Sequence, residues 1–361
     1  MLGWLLVEAR VSLVGDSLVI DMGLQLHVAS SLHGLRRARY IVFHYVDEDF
    51  TVDDVDSLSR RLLAGLGLPV GDSLVFFTAV ERGKHIGVRD GPVHVYATVG
   101  LKPPVCINYD SLYEPPLAGT INVLAVAYEP LSEPALIDLF RVVVEAKTLA
   151  ASMLGLRCKG RAAGTVTDAI AVAAPVRPRG HRWAGMATRL GNRAARLVWR
   201  AVVAGDERSV EERLRGFLGV GLRELVEDAA KLYAEAPLGD PGGFEKIFAE
   251  KLAMVLRDPN VWSLIIAARE LDLYGSSGLI PGVSEEEFNR DSGRIVADEV
   301  MGSMLALYLA GFKGLLATYW VDREKDRLGL HLSRLPVFED DIAAALVGSI
   351  LARIYDEASG Q

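Results

Sequence analysis

The chain has 361 residues, half of them hydrophobic and about a quarter charged, which is the composition of a packed globular protein and excludes a disordered or fibrous one. This length exceeds one compact domain of usual size, so we expect two units that each bury a core. The two cysteines, Cys106 and Cys158, lack metal-ligand spacing and are too few for a disulfide framework in so long a chain. A reducing cytoplasm fits this cysteine usage best.

Charge is divided unevenly along the chain. Residues 1–205 hold 22 basic and 19 acidic side chains, a net of +3, whereas residues 206–361 hold 17 and 28, a net of −11. From Arg157 to Arg200, ten basic residues stand against the one acid Asp168, which suits an anionic ligand or an acidic partner surface. A solvated helix face is the alternative. Aromatic residues are too few among these charges for nucleic-acid binding, so we predict no nucleic-acid partner.

The first part of the chain alternates strand-like runs with turns. The opening MLGWLLVEARVSL lacks a basic leader and a cleavage site, so it predicts a first strand and not a signal peptide. Runs rich in β-branched and aromatic residues predict further strands at SLVIDM, YIVFHYV, SLVFFTAV, HVYATVGL, INVLAVAY and AIAVAA. Helical spacing predicts helices over residues 52–66, 132–156 and 183–204. We therefore expect an α/β or α+β sheet domain over residues 1–207.

After residue 205 the alternating strand patterns give way to helical ones, which predicts an all-α domain over residues 208–361. The predicted helices cover residues 210–218, 222–236, 244–256, 260–273, 284–312 and 341–358. The nearly apolar stretch from Ile295 to Phe312 has about the length of a bilayer span. Asp298 and Glu299 near its start favour a buried core helix with functional carboxylates over a membrane anchor. We predict a cytoplasmic protein without a membrane partner.

Polar residues of the first part gather at the ends of otherwise apolar elements, where sites of α/β-type folds assemble. Glu145 and Thr148 are three apart on one predicted helix, so we expect both to face the turn that carries Asp168. His181 is the one histidine within the basic stretch, and the remaining histidines are scattered without metal-ligand spacing. We predict no cofactor for this domain.

Three motifs occur in order: GTINVLAVAYEPLSEPALIDLFRVVVEAKTLAASMLG, GTVTDAIAVAAP and GHRWAGMATRLG. Together they resemble the adenosylcobinamide amidohydrolase family over residues 25–205. The family's Gly-Thr-Gly-Thr-Asp turn reads Gly-Thr-Val-Thr-Asp at residues 164–168. The resemblance implies hydrolysis of the amide that joins the aminopropanol arm of adenosylcobinamide to the corrin ring, which yields adenosylcobyric acid.

Amide hydrolysis requires an activated water or nucleophile, donors for the developing oxyanion and an acid for the leaving amine. We predict Asp168 or Glu145 as the base and His181 as the acid or as an orienting residue. The predicted substrate-binding residues are Thr120, Asn122, Lys147, Thr148 and Thr165. The structural alternatives are a turn cap for Asp168, strand-end hydrogen bonds for Thr120 and Asn122, a solvated charge for Lys147 and a surface position for His181.

Three groups of acidic residues border the predicted helices of the second part: Asp298-Glu299, Asp322 and Asp340-Asp341. Two carboxylates within an otherwise apolar helix are costly to bury unless a cation compensates them. Hard oxygen ligands suit Mg²⁺, which predicts phosphoryl chemistry with a metal-activated water. Helix N-capping is the alternative for Asp340 and Asp341.

The segments DPNVWSLIIAARELD, DSGRIVADEVMGSMLALYLAGFKG, YWVDREKDRLG and LPVFEDDIAAALVGSI resemble archaeal α-ribazole-phosphate phosphatase, a relative of phosphatidylglycerophosphatase A, over residues 222–357. The family's Lys-Pro is Lys325-Asp326 here. The resemblance implies that Asp298 and Glu299 are catalytic and that Arg323 and Lys325 hold the phosphate. It implies that Mg²⁺ or water is bound by Asp298, Glu299, Asp322, Asp340 and Asp341.

Both resemblances belong to one pathway, because the first activity returns a salvaged corrinoid to cobyric acid and the second dephosphorylates the lower-ligand nucleotide. Such a fusion is known in archaea. We therefore predict a bifunctional hydrolase with adenosylcobinamide and α-ribazole 5′-phosphate as substrates, and we leave a homo-oligomer open. The alternatives are a non-catalytic corrinoid-binding protein and, for the second part, a phosphatidylglycerophosphate phosphatase.

Overall fold

The structure, a computed structural model, describes residues 9–50, 54–107, 119–237, 243–291 and 293–359. The chain forms two compact units, Met1–Glu207 and Arg208–Gln361. A mixed sheet of eight strands forms the first unit and helices form the second, which confirms the predicted sheet domain followed by an all-α domain. Residues 1–8 of the predicted first strand and residues 52–53 of the predicted first helix lie outside the described residues.

The first unit contains ten strands and three α-helices among its described residues. The strands are β1 (Arg10–Val14), β2 (Ser17–Ser30), β3 (Gly34–Tyr45), β4 (Ser73–Thr78), β5 (Ile86–Asp90), β6 (Val93–Val99), β7 (Pro104–Cys106), β8 (Ile121–Ala127), β9 (Ala162–Thr165) and β10 (Ala169–Ala174). The helices are α1 (Val55–Gly65), α2 (Glu133–Met153) and α3 (Arg189–Ala204). Each helix begins after a side chain that accepts a hydrogen bond from a first-turn N–H group: Asp54, Ser132 and Thr188.

The main sheet has the strand order β4-β3-β2-β10-β8-β6-β5, with β1 paired to β2. The β3/β4 and β8/β10 pairs are parallel and the other pairs are antiparallel. The sheet curls until β4 reaches β8 and β6. Asn122 Nδ2 on β8 donates to Phe77 O on β4 at 2.8 Å. Thr78 on β4 donates to Thr98 on β6 at 3.0 Å.

Both faces of the central strands are buried. On β8, Val123 and Ala125 face the apolar sides of α2 and α3, whereas Leu124 and Val126 face the interior of the curled sheet. A strand covered on both sides is apolar along its length, because polar groups there would lose their contact with water. Polar side chains are therefore confined to the ends of these strands, where the candidate site lies.

A second, two-stranded sheet pairs β7 with β9 and sets Val105 opposite Gly164. Cys106 at the end of β7 forms a disulfide with Cys158, which follows α2. Two cysteines are too few for a disulfide framework in so long a chain, and the sequence did not indicate this single bond. The two cysteines are 52 residues apart in sequence, and strand pairing brings them together, so their spacing carried no signal.

The second unit is helical throughout its described residues. Its helices are α4 (Val210–Leu218), α5 (Leu222–Glu235), α6 (Phe244–Val255), α7 (Pro259–Gly275), α8 (Glu285–Asn289), α9 (Ala297–Glu324) and α10 (Val337–Ala358). α10 forms the centre of this unit, since every residue from Ile342 to Ala352 is buried.

α9 reverses its direction in the middle. Gly311 and the residue before it have non-helical backbone angles, and the φ of 62° at Gly311 favours glycine. The start of α9 lies beside the start of α10, and beyond the bend Lys313 pairs with Asp356 near the end of α10 at 2.6 Å. The end of α9 then returns to the start of α10. The two halves, residues 297–309 and 312–324, therefore form a helical hairpin along α10, which we call the α9 hairpin.

The α9 hairpin is buried on one side only. By length and composition, α9 is apolar enough to cross a membrane, as some core helices of soluble proteins also are, and 22% of its most apolar stretch is buried. The prediction of a buried core helix over residues 295–312 is therefore wrong for the outer side. The buried core helix of this unit is α10.

We expect the disulfide to stabilise the first unit by about 4 kcal/mol, because it closes a loop of 52 residues that would otherwise be unrestrained in the unfolded chain. Urea unfolding of the oxidised protein and of the Cys158→Ser variant measures this difference. Labelling of both cysteines by iodoacetamide, in denatured protein without reductant, would contradict the pairing.

Candidate functional site

Lys147 and Asp168 form a buried ion pair where β8 and β10 begin. The Lys147 Nζ atom lies 2.5 Å from Asp168 Oδ2, and the two side chains are 9% and 11% exposed. The Thr165 hydroxyl donates to Asp168 Oδ1 at 2.5 Å, and the N–H groups of Thr165 and Ile121 donate to the same carboxylate. Four donors thus fix the orientation of Asp168. We call Lys147, Thr165 and Asp168 the Asp168 cluster.

Gly164 makes room for this cluster. Its φ is +152°, and a Cβ atom there would lie 2.1 Å from Asp168 Oδ2 and 2.4 Å from Lys147 Nζ. Both distances are far below van der Waals contact. A side chain at this position would displace the ion pair, which explains why the Gly-Thr-Val-Thr-Asp turn begins with glycine.

Thr120 and Asn122 lie beside the Asp168 cluster, and their hydrogen bonds stay within the protein. The Thr120 hydroxyl lies 2.7 Å from Thr167 O and 3.1 Å from Asn122 Oδ1. Asn122 is fully buried, and its amide nitrogen donates to Phe77 O on β4, the strand on the opposite side of the curled sheet. These contacts support the structural alternative for Asn122, which joins the two sides of the sheet.

Helix α2 presents Lys147, and not Glu145, to Asp168. Glu145 is exposed and pairs with Arg141, one turn earlier on the helix. Residues two apart on a helix point in nearly opposite directions, so Glu145 faces away when Lys147 faces the sheet. The expectation that Glu145 faces the turn of Asp168 is therefore wrong. Thr148 is half-buried, and no hydrogen bond among the described residues joins it to Asp168.

His181 lies at the opposite end of the strands from Asp168. The parallel strands β8 and β10 start at the Asp168 cluster, and Glu129 and His181 follow their far ends. The seven residues of β8 span about 20 Å at the usual rise of a strand. The prediction that His181 acts together with Asp168 is therefore wrong on distance.

His181 instead belongs to a separate cavity of about 180 Å³. Its Nε2 atom lies 3.0 Å from Glu129 Oε2. The other residues that line the cavity are Trp183, Thr188, Arg189, Leu190 and Arg193. The cavity volume is below the ~300–1,000 Å³ of typical small-molecule sites, so a corrinoid would not fit inside it.

In the second unit, Asp298, Glu299 and Asp341 converge where α9 and α10 begin, and we call them the carboxylate cluster. One oxygen of each residue lies within 4.8 Å of the others. Asp298 is 2% exposed, and its Oδ1 has no hydrogen-bond partner among the described residues. Gly302 allows this approach, since a Cβ atom there would lie 3.0 Å from Asp341 O. Hard oxygen donors with an unpartnered buried atom fit a divalent cation.

Two members of the carboxylate cluster, Asp298 and Asp341, bind protons more tightly than ordinary carboxylates do. Burial, with a further contribution from the neighbouring Glu299 side chain, raises the pKa of Asp298 to about 7. Burial, followed by the charges of Asp298 and Asp340, raises the pKa of Asp341 to about 8. Negative charges this close repel each other, and a cation between them would relieve that repulsion.

Lys325 pairs with two of the predicted metal ligands. Its Nζ atom lies 2.7 Å from Asp322 Oδ1 and also contacts Asp340 Oδ2. Burial lowers the pKa of Lys325, but the two carboxylates outweigh burial and raise that pKa overall. The Asp340 Oδ1 atom is buried without a partner among the described residues. Arg323 is exposed and lies over the Tyr319 ring at 5.8 Å, whereas Lys325 is part-buried, so the role of Arg323 in holding the phosphate stays a prediction.

Comparison with known proteins decides the family. The family model of adenosylcobinamide amidohydrolase matches residues 7–213, which is more than half of the chain. The chain belongs to the adenosylcobinamide amidohydrolase family. An adenosylcobinamide amidohydrolase of Halobacterium salinarum is 32% identical over 168 residues, which cover 44% of this chain and 70% of that protein. The uncharacterized protein MJ1330 of Methanocaldococcus jannaschii is 31% identical over 108 residues, which cover 30% of this chain and 82% of that protein.

Solved structures show weaker likenesses. The protein ypjQ of Bacillus subtilis has a TM-score of 0.33 at 22% identity, and the aligned region covers 39% of this chain and 88% of that one. The low temperature requirement C protein of Listeria monocytogenes has a TM-score of 0.35 at 20% identity, and the aligned region covers 42% of this chain and 98% of that one. At these TM-scores the likenesses carry no argument.

The family match covers the whole Asp168 cluster.

In the second unit, three buried ionic residues near the start of α10 were not indicated by the sequence pattern: Arg269, Asp272 and Glu339. Asp272 accepts hydrogen bonds from the N–H groups of Phe338 and Glu339, both at 2.9 Å, and so caps α10 from a neighbouring helix. Arg269 donates to the buried Glu339 carboxylate at 3.2 Å. Arg269 and Asp272 are three apart on α7, which indicated a shared face, but their partner on α10 was not visible in the sequence.

We expect Asp272→Ala to destabilise the second unit by about 3 kcal/mol, because it leaves two buried N–H groups without an acceptor. Asp356→Ala, which removes an exposed ion pair with Lys313, is the matched control and should change stability by less than about 0.5 kcal/mol. Urea unfolding measures both values. Equal effects of the two substitutions would contradict the capping role.

Proposed function

We propose that this protein hydrolyses the amide bond between the aminopropanol arm and the corrin ring of adenosylcobinamide. Membership of the adenosylcobinamide amidohydrolase family supports the reaction, and the Asp168 cluster supports its location. Water adds to the amide carbon, the C–N bond breaks, and the amine leaves with a proton. The products are adenosylcobyric acid and aminopropanol.

Each member of the Asp168 cluster has a proposed role. Asp168 takes the proton from the attacking group, and Lys147 stabilises the charge that develops on the amide oxygen. The Thr165 hydroxyl, 2.5 Å from Asp168, orients the attacking water. A buried ion pair contributes little net stability, so its position at the end of the sheet favours a chemical role over a structural one.

We expect Asp168→Asn to lower kcat for adenosylcobinamide at least ~100-fold, which is the usual contribution of a general base. Because this variant leaves the buried Lys147 without its ion-pair partner, Thr165→Ala is the second variant. It removes the hydroxyl that orients the attacking water and should also lower kcat, whereas Thr165→Ser keeps a hydroxyl and should restore kcat. His181→Ala should keep kcat within about threefold, since His181 lies about 20 Å away.

Mass spectrometry of the corrinoid product measures turnover, and equilibrium dialysis measures binding. Loss of activity in His181→Ala, with activity retained in Asp168→Asn, would move the site to the other end of the sheet. Binding of adenosylcobinamide without any turnover by the folded wild-type chain would favour the non-catalytic corrinoid-binding alternative.

We further propose that the second unit is a Mg²⁺-dependent phosphatase whose substrate is α-ribazole 5′-phosphate. The unpartnered Asp298 Oδ1 atom within the carboxylate cluster supports a cation there. Asp298, Glu299 and Asp341 would hold Mg²⁺, which when bound activates water and neutralises phosphate charge. Lys325, at the same end of α10, supplies the positive charge for the phosphate, and Asp322 and Asp340 hold its ammonium in place.

We expect Mg²⁺ or Mn²⁺ to stabilise the second unit by about 2.7 kcal/mol at a hundredfold excess over Kd, because the folded unit binds the cation and the unfolded chain does not. Thermal unfolding in EDTA and in MgCl₂ measures the shift. Asp298→Asn should abolish it, and Asp356→Asn, an exposed carboxylate elsewhere in the unit, should leave it unchanged. An unchanged midpoint for the wild-type chain at 10 mM of either cation would overturn the metal site.

Phosphate release identifies the substrate. We expect release from α-ribazole 5′-phosphate with Mg²⁺ and none in EDTA, while amide hydrolysis by the first unit proceeds in both conditions. Release from phosphatidylglycerophosphate instead would favour the lipid alternative.

A further inference from the structure

The outer side of the α9 hairpin is an apolar surface with regular spacing. Six large side chains, every one at least 55% exposed, stand on it, and most are four residues apart in the sequence. They are Val300, Met304 and Tyr308 on the first half and Phe312, Leu316 and Tyr319 on the second half. We call these six residues the outer patch. Between Val300 and Tyr319, the only charged residue is Lys313, which pairs with Asp356.

The two halves of the α9 hairpin turn the same side toward α10. A Cβ atom on Gly302 would lie 3.0 Å from Asp341 O, and a Cβ atom on Gly348 of α10 would lie 2.6 Å from Thr318 N. At 100° per residue, Val300, Met304 and Leu316 fall within about 20° of the direction opposite these contacts, while Tyr308, Phe312 and Tyr319 lie nearer the sides of the two halves. The Tyr308 hydroxyl also donates to Asp258 Oδ2, just before α7, at 2.7 Å. The outer patch therefore lies on the faces of the hairpin that are turned away from the α10 contacts, and each of its side chains is more than half exposed.

The outer patch approaches the area that one partner contributes to a protein interface. Aromatic side chains bury ~150–250 Å² each, so six large side chains at these exposures present roughly 600 Å² of apolar surface. A standard protein interface takes about 800 Å² from each partner, and apolar patches above a few hundred Å² mark interaction sites. Methionine and aromatic residues are also enriched at interface cores.

A lipid bilayer does not fit this surface. Each half of the hairpin has about 13 residues and is roughly 20 Å long, shorter than the ~30 Å hydrocarbon core. A helix that lies flat on a membrane requires basic residues along its border. The hairpin instead carries four acidic residues, Asp298, Glu299, Asp322 and Glu324, against two basic ones, Lys313 and Arg323, and residues 206–361 have a net charge of −11.

We propose that the protein is a homodimer in which the outer patches of two copies pack face to face, so that the two α9 hairpins form a four-helix bundle. A two-fold axis sets the patch against itself, so no second complementary surface is needed. Pairs of helical hairpins pack in this way around an apolar core. The dimer places the carboxylate cluster of each copy at the rim of the bundle, because Glu299 directly precedes Val300.

Sedimentation velocity of the full chain tests the dimer. The wild-type protein should sediment at twice 39.2 kDa, and the double variant Phe312→Glu/Leu316→Glu at 39.2 kDa, with Kd raised at least 100-fold. Met254→Glu is the matched control, because Met254 is 62% exposed on α6 and lies outside the patch. It should remain a dimer.

A wild-type monomer at all concentrations overturns the proposal, as does a double variant that still dimerises. A monomer that sediments with phosphatidylcholine vesicles and loses this binding in the double variant identifies a membrane surface and also overturns it. Far-UV circular dichroism verifies that the double variant folds. If it does not, Val300→Lys repeats the test on the first half of the hairpin.

Discussion

Buried charge at the ends of apolar elements organises both units of this protein. In the first unit, both faces of β8 and β10 are covered, so Asp168 at their start is withdrawn from water. A buried carboxylate requires donors, which Lys147, Thr165 and the N–H group of Ile121 supply. These contacts draw α2, the turn after β9 and the starts of two strands to one point. One carboxylate thus defines the geometry of the candidate active site.

The second unit satisfies the same constraint differently. The N–H groups at the start of α10 are buried, and Asp272 on α7 accepts their hydrogen bonds. This capping fixes where α10 begins and therefore where Asp341 meets Asp298. In the Asp168 cluster a lysine forms an ion pair with the carboxylate, whereas among the described residues Lys325 pairs with Asp322 and Asp340 and acts on Asp341 only as a nearby charge. That difference is the physical reason for proposing a cation in one unit and none in the other.

The sequence predicted the bounds of helices and strands well, but it predicted poorly which side chains face the site. Apolar periodicity placed β8 and α2 close to their observed bounds, because burial on a strand or a helix leaves a regular pattern. It did not tell whether Glu145 or Lys147 faces the sheet, since that depends on how α2 packs. Motif order likewise did not show that His181 lies a strand length away from Asp168. Asp272 was missed because its role exists only through a helix 66 residues later.

The disulfide shows why the motifs alone did not position the Asp168 cluster. β7 pairs with β9 and sets Val105 opposite Gly164, the residue that makes room for the ion pair. Cys106 follows Val105 and is bonded to Cys158 in the segment after α2, the helix that carries Lys147. The strand pair next to Asp168 is thereby tied covalently to the helix that supplies its partner. The geometry of the cluster depends on three segments distant in sequence, so its motif identifies the family without specifying the site.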